Sequence, residues 1–211
     1  MDYKKIAVSD SHFVAYSNID YKQEAKLFSF VREKNLEQNR LDHYKNPKRK
    51  VEWMSVRYLL NFLLPDFQDV QYHSNGKPFL KDSNDHLSIS HSHERIAVSV
   101  SKHYPTAVDI QLITPKIKRI KNKFLNPSEL ALIDENNETE LTYLWSLKEA
   151  LFKINGNQEL FLKPNFLIES ISSKDKTILA KAKIINVDQV SSYQLHVEMI
   201  DNYVLAYLLN S

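Results

Sequence analysis

Two carboxylates in the second half of the sequence, with a lysine near them, could together hold a hard cation. Asp109 lies between Val108 and Ile110 in an alternating segment, so its carboxylate points away from the aliphatic face. Glu149 and Lys153 are four residues apart in a helical segment, where they would share one side. Magnesium needs only one or two protein carboxylates, with water and substrate phosphates completing its shell. A carboxylate on the strand and another on the helix could therefore form a magnesium site.

Each of these features also has an ordinary explanation when it is taken alone. A polar face of an edge strand commonly bears one carboxylate like Asp109. A Glu–Lys pair with this spacing is typical of a solvated helix surface, where it contributes only about 0.2–0.5 kcal/mol. The aromatic residues Trp145 and Phe152 flank the pair and favour the wall of a pocket.

The first half of the sequence offers groups that suit a phosphate. Ser90-His91-Ser92 places two hydroxyls and an imidazole where a strand is expected to end, and Gly76-Lys77-Pro78 is a turn that holds a lysine rigidly. Lys48, Arg49 and Lys50 follow a helix start at Asn46-Pro47, where cations oppose the helix dipole and an anion would relieve them. A plain hairpin turn and solvated charge remain open as alternatives for these segments.

The composition narrows the chemistry further. The 211 residues include no cysteine, which excludes disulfides, thiolate metal sites and cysteine nucleophiles. Only two glycines occur, too few for a Rossmann fingerprint or a P-loop, so side chains must bind any phosphate. With 43% hydrophobic residues, no apolar run of about 20 residues and no visible signal peptide, we expect a cytoplasmic protein that does not bind a membrane.

The elements that would position these groups follow from periodicity. Helical spacing predicts helices over 22–42, from Asn46 onward, over 116–125, over 127–137 and over 139–154. Alternation predicts strands at 69–73 and 78–81 around an Asn-Gly turn, at 87–90, 96–100 and 107–112, and three strands over 176–209 with turns near Asp188 and Asp201. We therefore predict the α+β class, with two halves, 1–104 and 105–211, each built from a short antiparallel sheet plus helices.

The order of these motifs resembles the 4′-phosphopantetheinyl transferase superfamily. Trp145-Ser146-Leu147-Lys148-Glu149-Ala150-Leu151-Phe152-Lys153 matches the family signature W-S-x-K-E-[AS]-x-x-K. Gly76-Lys77-Pro78, Ser90-His91-Ser92, Val108-Asp109-Ile110 and the segment 124–129 match at the expected separations, so the resemblance covers roughly residues 40–165. Length and layout are similar to those of the larger subclass that activates peptide synthetases and related assembly lines, in which two similar halves pack as a pseudo-dimer.

The resemblance implies a function and a role for each matched residue. The protein would transfer the phosphopantetheine arm of coenzyme A to a serine of an apo acyl or peptidyl carrier protein and release 3′,5′-ADP, as a holo-[acyl-carrier-protein] synthase does. Asp109 and Glu149 would ligate Mg²⁺, Glu149 would double as general base, and Lys153 would assist the leaving phosphate or the attacking serine. The coenzyme A contacts would be Arg49, Lys48, Lys77, Pro78, Ser90 and His91 at the nucleotide end and Lys148 near the pyrophosphate.

Two positions depart from the family pattern. Ala107 replaces a usual glycine, and Gln111 replaces the second acid of the usual D-x-E, so Gln111 would approach the metal directly or through water. A non-catalytic member that only binds coenzyme A or the carrier is therefore the main alternative. The basic run 116–123 raises a third possibility, nucleic-acid binding, but the net charge is only +2 and no nucleic-acid motif is present. We expect a monomer with no nucleic-acid partner. We also expect the basic helix 116–125 to be the surface that docks the carrier.

Overall fold

The computed structural model describes residues 3–36, 39–64, 66, 69–156, 159–174, 177–187 and 189–210. The chain divides into two compact units, Met1–His103 and Tyr104–Ser211. Helices and antiparallel sheets occur in both units, which confirms the predicted α+β class. The similarity of the two halves and their packing as a pseudo-dimer stay predictions.

The N-terminal unit is built around a four-stranded antiparallel sheet in the order β1-β2-β6-β5. Its strands are β1 (Tyr3–Ser9), β2 (His12–Asn18), β5 (His86–Ser92) and β6 (Arg95–Ser101), and β3 (Val70–Tyr72) pairs with β4 (Pro78–Leu80) in a separate hairpin. Its helices are a 3-10 turn (Tyr21–Gln23), α1 (Glu24–Glu33), α2 (Asn39–Asp42) and α3 (Pro47–Leu63).

Helix α3 begins and packs as its sequence predicts. The Asn46 side chain accepts a hydrogen bond from the backbone of Lys48, and Pro47 occupies the first turn. Val51, Leu59 and Leu60 are buried in one cluster with Ile96 and other residues of β6. The cationic first turn of α3 is thereby fixed to the sheet that carries His91.

The C-terminal unit is a five-stranded antiparallel sheet in the order β7-β11-β10-β9-β8, with α6 packed on one face. The strands are β7 (Val108–Leu112), β8 (Phe166–Lys174), β9 (Thr177–Ile185), β10 (Val190–Ile200) and β11 (Tyr203–Asn210). The helices are α4 (Lys116–Phe124), α5 (Pro127–Leu130), α6 (Glu138–Asn155) and α7 (Leu162–Asn165).

Helix α6 has unambiguous ends and a single apolar stripe. The Asn137 side chain caps the amides of Thr139 and Glu140, and Gly156, with a φ of 65°, ends the helix in the left-handed region. The stripe that faces the sheet is fully or almost fully buried and consists of Leu141, Leu144, Leu147, Leu151 and Ile154. This packing leaves Glu149 and Lys153 off the stripe, near β7.

Two predicted helices are shorter than the periodicity indicates. The helix expected over 22–42 ends at Glu33, because Asn35 adopts a φ of 51°, which a continuous helix does not allow. The helix expected over 127–137 ends at Leu130, and the carboxylate of Asp134 accepts from the amide of Asn136 in a turn instead. The strands β1 (Tyr3–Ser9), β2 (His12–Asn18) and β8 (Phe166–Lys174) were not predicted. Lys176 and the predicted turn at Asp188 lie outside the described residues.

Among the helices of the described segments, none combines the length and the apolar composition that crossing a bilayer requires.

Candidate functional site

The C-terminal unit brings Asp109, Glu149 and Lys153 together, and we call these three residues the acidic cluster. The Nζ of Lys153 on α6 donates to Oδ1 of Asp109 on β7 at 2.8 Å and to the backbone oxygen of Val108 at 2.9 Å. The Asp109 side chain is only 7% exposed and that of Lys153 25% exposed. The ammonium group therefore attaches the helix to the strand and fixes the orientation of the Asp109 carboxylate.

Within this cluster, the pKa of Glu149 departs clearly from its ordinary value. Burial and the negative charge of Asp109 raise the pKa of Glu149 to about 7, against the opposing effect of the Lys153 ammonium. Glu149 lies one helical turn before Lys153 on α6, so it is on the side of the helix that the Lys153–Asp109 bond attaches to β7. A carboxyl group with a pKa near neutrality accepts and releases a proton readily at physiological pH, as a general base must.

The oxygen donors of the cluster fit a magnesium ion in kind and number. Burial, and after it the negative charge of Asp109, raise the pKa of Glu149, and a divalent cation bound by the two carboxylates would oppose both effects. Gln111 lies one side-chain repeat along β7 from Asp109 and is half-buried, with its Nε2 donating to the Leu112 oxygen at a long 3.5 Å. No group of three or more histidine and acidic side chains that could hold a metal occurs within the described part of the chain. The metal would thus rely on two carboxylates.

The Lys148 side chain is enclosed within the C-terminal unit. Its side chain is fully buried, and its Nζ donates to the Phe124 oxygen at 2.6 Å, to Oε2 of Glu129 at 2.7 Å and to the Leu162 oxygen at 3.1 Å. These three bonds use all three N–H groups of the ammonium. The expectation that Lys148 contacts the pyrophosphate therefore has no support in this geometry, because the burial of α6 against its neighbours encloses the side chain.

In the N-terminal unit, a cavity of about 480 Å³ brings Lys48, Arg49 and His91 together. Nη1 of Arg49 lies 2.9 Å from Nε2 of His91 and 3.1 Å from Oε2 of Glu52. We call this cavity the Arg49 pocket. The described residues that line it are Tyr21, Asn46, Lys48, Arg49, Glu52, His91, Ser92, His93 and Glu94. Two cationic side chains and two imidazoles make it suitable for an anion, and two carboxylates on its wall limit how much negative charge it accepts.

The remaining predicted coenzyme A contacts do not line this pocket. Ser90 is buried in β5, and strand alternation directs its side chain to the face opposite His91. Lys77 and Pro78 lie in the β3–β4 hairpin, where the amide of Lys77 donates to Asn75 and Gly76 has a φ of 83°. Burial lowers the pKa of Lys77. Of the six predicted nucleotide contacts, three therefore line the pocket, namely Lys48, Arg49 and His91. The other three lie in the β3–β4 hairpin and in β5, namely Lys77, Pro78 and Ser90.

Some residues at these sites were not found from the sequence. Glu52 resembles an ordinary surface acid, although its i,i+3 spacing from Arg49 in the predicted helix is that of neighbours, and no spacing signal marks Glu94. Glu129 carries a weak signal, because Asn126 and Glu129 have the spacing of a helix cap, and the capping box is present in the structure. Its burial against Lys148 follows from the tertiary fold, which the spacing does not report.

Comparison with known proteins finds a family match over the C-terminal unit. Residues 105–208 match the family model described as the 4′-phosphopantetheinyl transferase superfamily. The chain is also 29% identical over 109 residues to the 4′-phosphopantetheinyl transferase psf-1 of Bacillus pumilus. That match covers 48% of this chain and 46% of the relative, so it spans a little under half of the relative's length.

Proposed function

We propose that the protein transfers the phosphopantetheine arm of coenzyme A to a carrier protein, because residues 105–208 match the family model of the 4′-phosphopantetheinyl transferase superfamily. The observation that carries the proposal is the acidic cluster: β7 and α6 bring Asp109, Glu149 and Lys153 together in this domain. The psf-1 relative, which is named as such a transferase, supports the same activity.

The proposed reaction is a phosphoryl transfer. The hydroxyl oxygen of a carrier serine attacks the β-phosphorus of coenzyme A, a new P–O bond forms, and the bond to the α-phosphate breaks to release 3′,5′-ADP. Such a transfer depends on alignment and charge neutralisation more than on covalent catalysis. When bound, Mg²⁺ would supply part of that neutralisation, held by Asp109 and Glu149 with Gln111 beside them.

The acidic cluster divides the remaining tasks among its members. As the family resemblance implies, Glu149 would accept the proton of the serine hydroxyl. Lys153 would keep the Asp109 carboxylate oriented through its bond of 2.8 Å, and its partly exposed ammonium would approach the leaving phosphate. Water exclusion by the surrounding core strengthens each of these charge interactions.

Among the predicted contacts to the nucleotide end of coenzyme A, those that line the Arg49 pocket have the better support. Arginine binds phosphate through its planar fork, and Lys48 and His91 add donors on the same wall. Lys77, Pro78 and Ser90 stay predictions that rest on the family resemblance.

One observation favours a second candidate function. Gln111 removes a carboxylate that the family pattern places beside Asp109, so metal affinity would be lower than in a three-acid site. A member that binds coenzyme A or a carrier without transfer is therefore the alternative proposal.

The test is a mass measurement on the carrier after incubation with coenzyme A and Mg²⁺, using an apo acyl carrier protein and an apo peptidyl carrier domain in parallel. We expect the mass to rise by one phosphopantetheine arm with the wild-type protein and to stay unchanged with Asp109→Asn or Glu149→Gln. Glu169→Gln is the matched control, because Glu169 also pairs with a lysine, Lys183, in the same unit but lies on β8. Coenzyme A binding with no mass change on either carrier would support the alternative.

A further inference from the structure

A buried ion pair joins α6, the helix that carries the family signature, to α5, and it has no part in the proposed chemistry. Glu129 and Lys148 both have fully buried side chains, with Oε2 of Glu129 2.7 Å from Nζ of Lys148. The same Oε2 accepts from the amide of Asn126 at 2.8 Å, and Oε1 accepts from the amide of Ile168 at 2.9 Å. With the oxygens of Phe124 and Leu162 on the lysine, the pair connects α4, α5, α6, α7 and β8.

Stability alone is a weak reason for such a pair. Removing two charges from water is costly, and apolar side chains of similar volume often stabilise a core equally well. The pair instead fixes how the surrounding elements are arranged. An ammonium group bonded to three acceptors on three different elements permits one arrangement of those elements. Burial lowers the pKa of Lys148, and the Glu129 carboxylate opposes that effect.

The geometry of a helix shows which movement the pair restrains. Successive residues turn by about 100°, so Lys148 and Lys153 emerge about 140° apart, whereas Glu149 emerges only about 40° from Lys153. Lys153 is attached to β7 through Asp109 and Val108. Lys148 is attached to the elements on the other side of the helix. Two lysines thus hold α6 from opposite sides, and Glu149 lies on the side that faces Asp109.

We propose that Glu129 is a positioning residue: through Lys148 it fixes the rotation of α6 and so sets the Glu149 carboxylate against Asp109. The catalytic consequence rests on the proposed transferase function. The structural consequence does not, because the placement of Glu149 beside Asp109 is a property of the unit itself. A shift of about 1 Å in a reacting group is enough to reduce turnover by about 100-fold.

The test replaces the pair by a neutral one, Glu129→Gln with Lys148→Met, so that no buried charge is left alone. The matched control is Asp69→Asn with Arg57→Met in the N-terminal unit, where Arg57 and Asp69 form a buried pair of 2.9 Å that also bonds the backbone of Val70. We expect kcat for carrier modification to fall about 10- to 100-fold in the first variant, with the coenzyme A KM within about twofold. The control variant should keep the wild-type kcat even if its Tm falls as much as that of the first variant.

A second readout needs no turnover. The carboxyl ¹³C resonances of Asp109 and Glu149 report their surroundings, and we expect both to shift in the Glu129→Gln, Lys148→Met variant and to stay in place in the control. Unchanged resonances in a folded variant would overturn the proposal, as would equal losses of kcat in both variants. If the wild-type protein modifies no carrier, the transferase function fails, and the resonances still decide whether Glu129 positions Glu149.

Discussion

At position 111 the chain has an amide where the family pattern has a carboxylate, and this single difference gives a direct test of the metal site. Gln111 is half-buried on β7, opposite Val204 of β11, and its amide makes only a long contact of 3.5 Å. A glutamate fits the same space, because the two side chains have nearly the same shape. The added charge would raise the affinity of the site for a hard cation.

We predict that Gln111→Glu lowers the Mg²⁺ concentration for half-maximal carrier modification by about tenfold, since hard cations respond to the number of ligand charges. The measurement is a Mg²⁺ titration of the initial rate at saturating coenzyme A. Gln194→Glu, on the same sheet but on β10, is the control and should leave the titration unchanged. An identical Mg²⁺ requirement in Gln111→Glu would show that position 111 does not reach the ion.

At the scale of elements, the basic helix α4 is the predicted carrier-docking surface, and the structure shows which of its charges are available. Ile117 and Phe124 are buried, so the opposite face is turned to solvent. Lys118 pairs with Glu138 at 2.9 Å and Lys121 with Glu135 at 2.7 Å, which reduces their attraction for a partner. Arg119 is exposed on the solvent face and is the clearest single cation to test.

Reversing Arg119 to glutamate should raise the carrier KM about fivefold at low salt and flatten its salt dependence, with the coenzyme A KM unchanged. The reason is that rim charges act mainly on association and are screened by ions. Lys181→Glu, an exposed lysine of β9 in the same unit, changes the net charge equally and is the control. If both variants behave alike, total charge acts on the carrier and α4 does not dock it.

The elements that periodicity predicts well are those with one strongly patterned face. The leucine stripe of α6 and the alternation of β7 predicted both elements, and their meeting brings Asp109 and Glu149 together. The β1–β2 hairpin and β8 were not predicted, because Lys4, Lys5 and the serines of β8 obscure their alternation. Lys148 and Glu129 show a different limit: a signature motif gives the residue types but not which side of the helix becomes enclosed.

At the scale of the whole molecule, the fold class could be predicted because each unit forms its own apolar cluster from patterned segments. Several buried charged and polar residues could not, since their partners are distant in the sequence. Arg57 with Asp69, Lys148 with Glu129, and His12 with Ser99 are examples, and the last pair is 87 residues apart. His12 also makes the stability of the protein depend on pH.

His12 provides the clearest pH-dependent contribution to stability. It is buried in β2, its Nε2 lies 2.9 Å from the Ser99 hydroxyl, and its strand neighbours across the sheet are Ser9 and Ser101, which carry no charge. Burial lowers the pKa of His12 from 6.5 to about 4. Glu149 acts in the opposite direction, because its raised pKa makes the folded protein bind a proton before the unfolded chain does. The pH profile of the wild type alone therefore does not isolate His12.

We predict that the difference in free energy of unfolding between the wild type and His12→Gln depends on pH in one defined window. Above pH 6.5 the imidazole is neutral in both states, and glutamine retains a polar group for Ser99, so the difference stays constant. Between pH 6.5 and about 4 the unfolded chain binds a proton that the folded protein does not, and the wild type loses stability relative to the variant. The full loss is about 3 kcal/mol, from roughly 1.4 kcal/mol per unit of lowered pKa. Urea unfolding of both proteins at steps between pH 4 and 8 measures it, and parallel curves across that range would show that His12 is not held neutral in the folded unit.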